Sequence, residues 1–288
     1  MYSKYNRRKL ILLLLTGLFC SAASGQQGYW SSRNSTSGIT TDKAVARLSF
    51  PKAFRLFDLN IEPLQQALFS VTGNQSRHST VILLPDAEGN MEQFEVFEAS
   101  NFEPDLQARF PEIRAFSGKG ITDKYATLKL SISQQGIQTM VFRTDKENEF
   151  IEPYSKDHAV YAVFRSHRNI GKLPWTCTTD EKQMDADISS KISKSIEPLS
   201  STGELKTMRL AQSCNGEYAN YFGATNSSQV ALVLAAFNAT LTRCNGCMKR
   251  ILPYTSILLQ TQHPLYIMTR QRILIQQWPT GMHNYSQR

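Results

Sequence analysis

The side chains able to do chemistry are few and scattered. Histidines stand at His78, His158, His167, His263 and His283, and cysteines at Cys20, Cys177, Cys214, Cys244 and Cys247. Cys244 and Cys247 have the C-x-x-C spacing of thiol redox centres and of zinc sites. A structural zinc needs two further ligands, and Cys177 and Cys214 are too isolated along the chain to supply them. Asp157-His158 has the order of an orienting carboxylate beside a general base, but no nucleophile is fixed beside it. His263 and His283 are 20 residues apart and no glutamate follows Glu217, so the H-E-x-x-H pattern that sets two imidazoles on one helical turn is missing. These residues by themselves assign no catalytic, cofactor-binding or metal-binding side chain.

The elements that position them belong to a chain of 288 residues with a mean hydropathy of -0.33, enough for two domains. Its formal charge of +8 sits at the ends. Residues 1–25 hold Lys4, Arg7, Arg8 and Lys9 and no acid, and residues 248–288 hold Lys249, Arg250, Arg270, Arg272 and Arg288 and no acid. The body between is nearly neutral, which excludes a nucleic-acid partner, since such domains concentrate bases on the folded surface. Arg7, Arg8 and Lys9 lead into an eleven-residue apolar run, Leu10 to Cys20, and then small residues to Gly25: the pattern of a secretory signal peptide over 1–25, too short for a permanent membrane span. Export places the protein outside the cell, where its cysteines are free to form disulfides.

Residues 26–45, rich in Gly, Ser, Thr and Gln, read as a loose leader. Residues 46–178 read as a β-rich module. Leu59, Leu64, Leu68 and Phe69 mark a short amphipathic segment, strands are expected at Val81–Leu84, from Phe94, at Thr127–Ile132, Ile137–Phe142, Phe150-Ile151 and Val160–Phe164, and Pro104 opens a helix closed by Pro111. A serine-rich linker follows over 179–204. A strand at Leu205–Ala211, a short helix or turn at Glu217–Phe222 and a helix at Ser228–Leu241, capped by Ser227 or Ser228, suggest the start of an α/β domain. Residues 205–246 are too few for a core of their own, so rapid proteolysis beyond 205 is expected. The fold class is α+β.

Two runs carry a family resemblance. Phe110-Pro111-Glu112-Ile113-Arg114-Ala115-Phe116-Ser117-Gly118-Lys119-Gly120-Ile121, with Ala126–Ser131 and Phe150–Tyr154, resembles the propeptide of secreted bacterial reprolysin-like (adamalysin-related) metallopeptidases. Leu205–Ala211, Cys214-Asn215-Gly216-Glu217-Tyr218-Ala219 and Phe222-Gly223 resemble the opening strand and helix of their catalytic domain. The resemblance implies a zymogen: a β-rich propeptide at 46–178 and, at 205–246, the first part of an incomplete α/β zincin domain. Intact members bind zinc through HExxHxxGxxH, the glutamate activates water, and extracellular proteins or peptides are cut. This chain lacks that motif, so no zinc is expected to bind stably and no peptidase activity is expected. The alternative is a non-catalytic binding or inhibitory module that docks on a full-length protease. Cys177 at the propeptide boundary is either a latency thiolate or a disulfide partner of Cys214 or Cys244.

Beyond Gly246 the composition shifts abruptly. Reading one base earlier, from the last base of the Gly246 codon, makes Met248 and Lys249 yield a glutamate, and permitted codons turn Cys247–Ile257 into Val-Tyr-Glu-Lys-Asp-Phe-Ala-Leu-His-Leu-Asp, which resembles the family's next helix end and strand. Residues 247–288 are therefore expected to be an out-of-frame tail, and Cys247 a product of it.

Overall fold

The computed structural model describes residues 28–47, 50–73, 79–166, 206–251 and 254–258. The run expected to be a signal peptide, His78, His167, Cys177, the stretch expected to be a linker over 179–204, His263 and His283 lie outside the described residues.

Alternating side chains build one large antiparallel sheet. In chain order it comprises β1 (Trp30–Arg33), β2 (Arg55–Leu59), β3 (Thr80–Pro85), β4 (Met91–Glu98), β5 (Arg114–Gly120), β6 (Thr127–Ser133), β7 (Gly136–Phe142), β8 (Glu149–Pro153) and β9 (Val160–Arg165), with helix α1 (Ile61–Phe69) before β3 and helix α2 (Pro104–Arg109) before β5. The spatial order is β1-β2-β9-β8-β7-β6-β5-β4-β3, a meander from β3 to β9 whose last strand returns beside β2. The sheet curls until its two edges meet through side chains. Trp30 Nε1 donates to the Leu83 carbonyl at 2.9 Å, and the Leu83 N–H donates to the Tyr29 hydroxyl at 2.5 Å. Two aromatic residues thus satisfy edge groups on β3 that a further strand would otherwise take.

The inside of the curl is the main core. Leu128, Leu130 and Ile132 of β6 point into it, as do Leu64 and Leu68, four residues apart on α1. Trp30 meets Tyr161 edge-on at 5.6 Å and Phe57 at 6.4 Å. Gly118 is required by this packing, because a Cβ there would lie 2.8 Å from Val96 Cγ1. The stretch expected to be a loose leader holds β1 and a 3-10 turn, Lys43–Ala46, capped by Asp42. Averaged over the window, the polar composition conceals Tyr29 and Trp30, and those two rings are what order it.

The second segment forms β10 (Lys206–Leu210), α3 (Gly216–Tyr221), α4 (Val230–Ile251) and β11 (Tyr254–Leu258). β10 and β11 pair in parallel, with α4 as the crossover. Asn226, rather than Ser227 or Ser228, caps the turn that leads into α4, accepting from the Ser228 N–H at 3.0 Å. Helix α4 runs past Leu241 and past Gly246 to Ile251, so the change in composition is not matched by a break in structure.

This segment does not make its own core. Phe102, Leu106 and Ile113, from the loop around α2, are buried in one cluster with Val233, Phe237 and Leu258. The Leu258 N–H donates to the Asn101 carbonyl at 2.7 Å, and the Glu103 N–H to the Leu258 carbonyl at 3.0 Å, adding a rung beside β11. Meanwhile α4 packs over the outer face of β5, β6 and β7. The two segments share one interior, which is how so few residues beyond 205 are stabilised. The architecture is α+β, a large curled antiparallel sheet with few helices. Among the described residues no helix is long and apolar enough to cross a membrane.

Because Trp30 both fills the core and closes the sheet, Trp30→Ala is expected to cost about 3–5 kcal/mol. Trp30→Phe should recover most of this and leave a deficit of about 1 kcal/mol for the lost bond to Leu83. Denaturant unfolding of the two variants checks both values.

Candidate functional site

The place where chemistry-bearing side chains converge is the seam between α4 and the sheet. Helix α4 is apolar around most of its first three turns, and within it Asn238, Thr242 and Asn245 fall at i, i+4 and i+7, one polar stripe on one face. All three are buried. Opposite them lies Asn101, also buried, in the loop between β4 and α2. Its amide Nδ2 donates to Asn238 Oδ1 at 2.9 Å and to Thr242 Oγ1 at 2.8 Å, and its Oδ1 accepts from Asn245 Nδ2 at 2.9 Å. Asn245 also binds the backbone of β11 as a strand would: Nδ2 donates to the Ser256 carbonyl at 2.8 Å and Oδ1 accepts the Ser256 N–H at 2.7 Å. Asn238 Nδ2 donates to the Arg114 carbonyl at the start of β5. Four side chains therefore join β5, the β4–α2 loop, α4 and β11.

Next along the seam, Gly246 brings α4 onto the sheet. A Cβ at Gly246 would lie 2.7 Å from the Phe142 ring and 2.9 Å from Lys129 Cγ. Lys129 is on the outer face of β6 and only 9% exposed, its ammonium donating to Ser117 Oγ at 2.7 Å. Burial, with Lys249 adding its positive charge, pushes the Lys129 amine down from 10.5 to about 8. The alternation of β6 predicts one apolar and one polar face, and so it is; the polar face is nevertheless covered.

The residues picked out from sequence are not brought together. Among the described residues Cys214, Cys244 and Cys247 form no disulfide with one another. Cys214 is half-buried against the α3–α4 cluster, where burial pushes its thiol up and disfavours the thiolate. Cys244 is exposed on α4 and Cys247 half-buried one turn on. Asp157 and His158 do not form a base and its orienter. Ser155 Oγ donates to Asp157 Oδ1 and accepts the Val160 N–H, and that hydroxyl holds Asp157 below the usual carboxylate range. His158, at φ 57°, turns instead toward Asp42, its Nε2 3.8 Å from Oδ2. This is a turn that ties the leader to the sheet. Among the described residues no group of three or more His, Cys, Asp or Glu could hold a metal ion.

The other concentration of charge, Arg143 between Glu92, Glu149 and Asp123, is a buried ion cluster inside the sheet module. The seam residues Asn101, Asn238, Thr242, Asn245 and Lys129 were not singled out from sequence, although the i, i+4, i+7 spacing on an apolar helix is a readable signal for the three on α4. Comparison with family models, with curated proteins and with solved structures finds no match to this chain.

Asn245→Ala strands Asn101 Oδ1 and both Ser256 backbone groups, and an unfolding cost of about 2–4 kcal/mol is expected in denaturant titration. Lys129 gives a pH signature. The fold accepts the neutral amine, so its contribution is complete above about 10.5, declines as pH falls toward about 8, and is level below that. A Lys129→Met, Ser117→Ala double variant removes the buried amine and its partner together. It should be more stable than the parent by about 1–3 kcal/mol at pH 7, and the gap should close as pH is raised from 8 to 10.5.

Proposed function

We propose that the chain is the pro-region and opening β-α-β unit of a secreted, reprolysin-like zinc metallopeptidase, and that the 288 residues bind and mask rather than cut. The observation that carries this reading is the seam. A β-rich module with the propeptide-like runs, Phe110–Ile121 and Ala126–Ser131, clamps the segment with the catalytic-domain-like runs, Leu205–Ala211 and Cys214–Ala219, through Asn101, Asn238 and Asn245. That is the arrangement a latent enzyme requires: its pro-region embedded in the first elements of the domain it restrains. The chain contains no HExxH, and the described side chains do not assemble a nucleophile with a base, so no hydrolytic step is assigned to it. The same clamping surface supports the second reading, in which the module acts in trans on a full-length protease.

The frame reading belongs to this proposal. Past Gly246 the last turn of α4 faces outward, with Met248, Lys249 and Arg250 exposed, while β11, whose Ser256 binds Asn245 and whose Leu258 is buried in the shared cluster, also lies in the stretch that the frame reading replaces.

Two measurements test the proposal. Sequencing of the gene across codon 246 should find HExxHxxGxxH encoded downstream in the alternate frame; an intact frame without it would overturn the frame reading. The purified chain added to an intact reprolysin-like peptidase should inhibit cleavage of a fluorogenic peptide stoichiometrically and show no proteolysis of its own. Tightly held stoichiometric zinc with chelator-sensitive cleavage by the chain alone would sink the masking role.

A further inference from the structure

Helix α4 is held on one side by the seam; on the other side the structure shows a second, smaller attachment made by the N-terminal segment. Residues 40–42 are fixed to the sheet. The Asp42 N–H donates to the Tyr154 carbonyl at 2.7 Å, the Lys156 N–H donates to the Thr40 carbonyl at 2.8 Å, and Thr41 bridges Ser155. The Asp42 carboxylate caps the following turn at the Ala44 N–H, 2.7 Å away, and faces His158. From that turn two cations reach toward the C-terminal segment. Lys43 Nζ lies 4.4 Å from the centre of the Tyr221 ring and 5.5 Å from that of Phe222, at the end of α3. Arg47 pairs with Glu152 Oε2, while Arg243 of α4 reaches Oε1 of the same carboxylate at 2.8 Å. Glu152 is buried, with its side chain 6% exposed, and so is shared between the N-terminal segment and α4. Arg243 also lies over Phe150, 5.4 Å from its centre; its contact with Glu152 is one of charge, since neither Nε nor Nη2 is aligned for a hydrogen bond.

We infer that residues Thr40–Arg47 form a latch, hinged on the sheet and closing on α3 and α4, that governs how readily the C-terminal segment leaves the sheet module. The asymmetry sets its direction. On the sheet side the latch is tied by backbone hydrogen bonds, which persist while the sheet persists. On the α3 side it is tied by an exposed ammonium over two rings, the weaker and more easily displaced contact. Release therefore begins between Lys43 and Tyr221, with the latch remaining on β8 and β9 and Glu152 still shared by Arg47 and Arg243. The latch is a property of the fold, and its failure would leave the peptidase reading standing.

Amide hydrogen exchange on the full chain tests it. In a Lys43→Ala, Arg47→Ala double variant, exchange in residues 216–221 should accelerate by about two- to fivefold, the worth of an exposed cation–ring contact, while β5–β7 change by less than about twofold. Lys43→Ala alone, which leaves Glu152 paired, should accelerate 216–221 only, and Lys43→Arg should restore parental protection there. Unchanged exchange at 216–221 in Lys43→Ala, acceleration spread evenly through the sheet, or a Lys43→Arg variant as fast as Lys43→Ala would each overturn the latch.

Discussion

The seating of α4 and β11 on the sheet module depends for its geometry on the buried amide of Asn101. An asparagine side chain enclosed in protein is costly unless both of its ends are hydrogen-bonded, and each unmet group there loses its hydration without replacement. Asn101 meets this condition only with α4 in one position, because its Nδ2 uses Asn238 and Thr242 and its Oδ1 uses Asn245. A helix sliding on an apolar face finds many near-equivalent seats; a helix that has to satisfy Asn101, Arg114 and Ser256 together finds one. The polar stripe fixes register, and the apolar cluster of Phe102, Leu106, Val233 and Phe237 supplies most of the cohesion.

The same docking explains the unusual outer face of the sheet. Lys129 and Ser117 have the alternation of solvent-facing residues, and α4 covers them at Gly246. Covering a lysine with a serine as its hydrogen-bond partner opposes the contact that covers it, so the seam combines a precise amide network with an ammonium that weakens it. An apolar side chain at that position would favour the docking of α4 more than Lys129 does.

Short-range chemistry made much of the sheet readable. The expected strands at Val81–Leu84, Ile137–Phe142 and Val160–Phe164 fall inside β3, β7 and β9, and Pro104 opens α2 as its fixed φ dictates. β1 and β5 were less accessible for physical reasons: β1 is ordered by two aromatic rings in a polar stretch, and β5 has glycines at positions 118 and 120 where alternation would show apolar residues. The site was harder still. Cysteine spacing and Asp157-His158 draw attention because those types do chemistry, yet the fold assigns Ser155, Asp157 and His158 to a turn against the leader and leaves Cys214 and Cys244 unpaired with each other. Asn101 has no local signal at all, since its partners lie more than 130 residues away along the chain. Only the fold can tell a buried asparagine from a loop asparagine.

The division of contacts bears on how such a chain comes apart. A cut within 179–204 removes a covalent connection, but the hydrogen bonds of Asn101, the rung between Asn101 and Leu258 and the cluster around Phe237 all join residues 28–166 to residues 206–258 directly. Cleavage alone therefore leaves the two segments associated, and separation has to expose Phe102, Leu106 and Ile113 on one side and Val233, Phe237 and Leu258 on the other. Burial of that surface opposes release far more than loss of the linker favours it. Association that persists after a break in the chain between residues 166 and 206 is thus built into the packing of Phe102, Leu106 and Ile113 against Val233, Phe237 and Leu258.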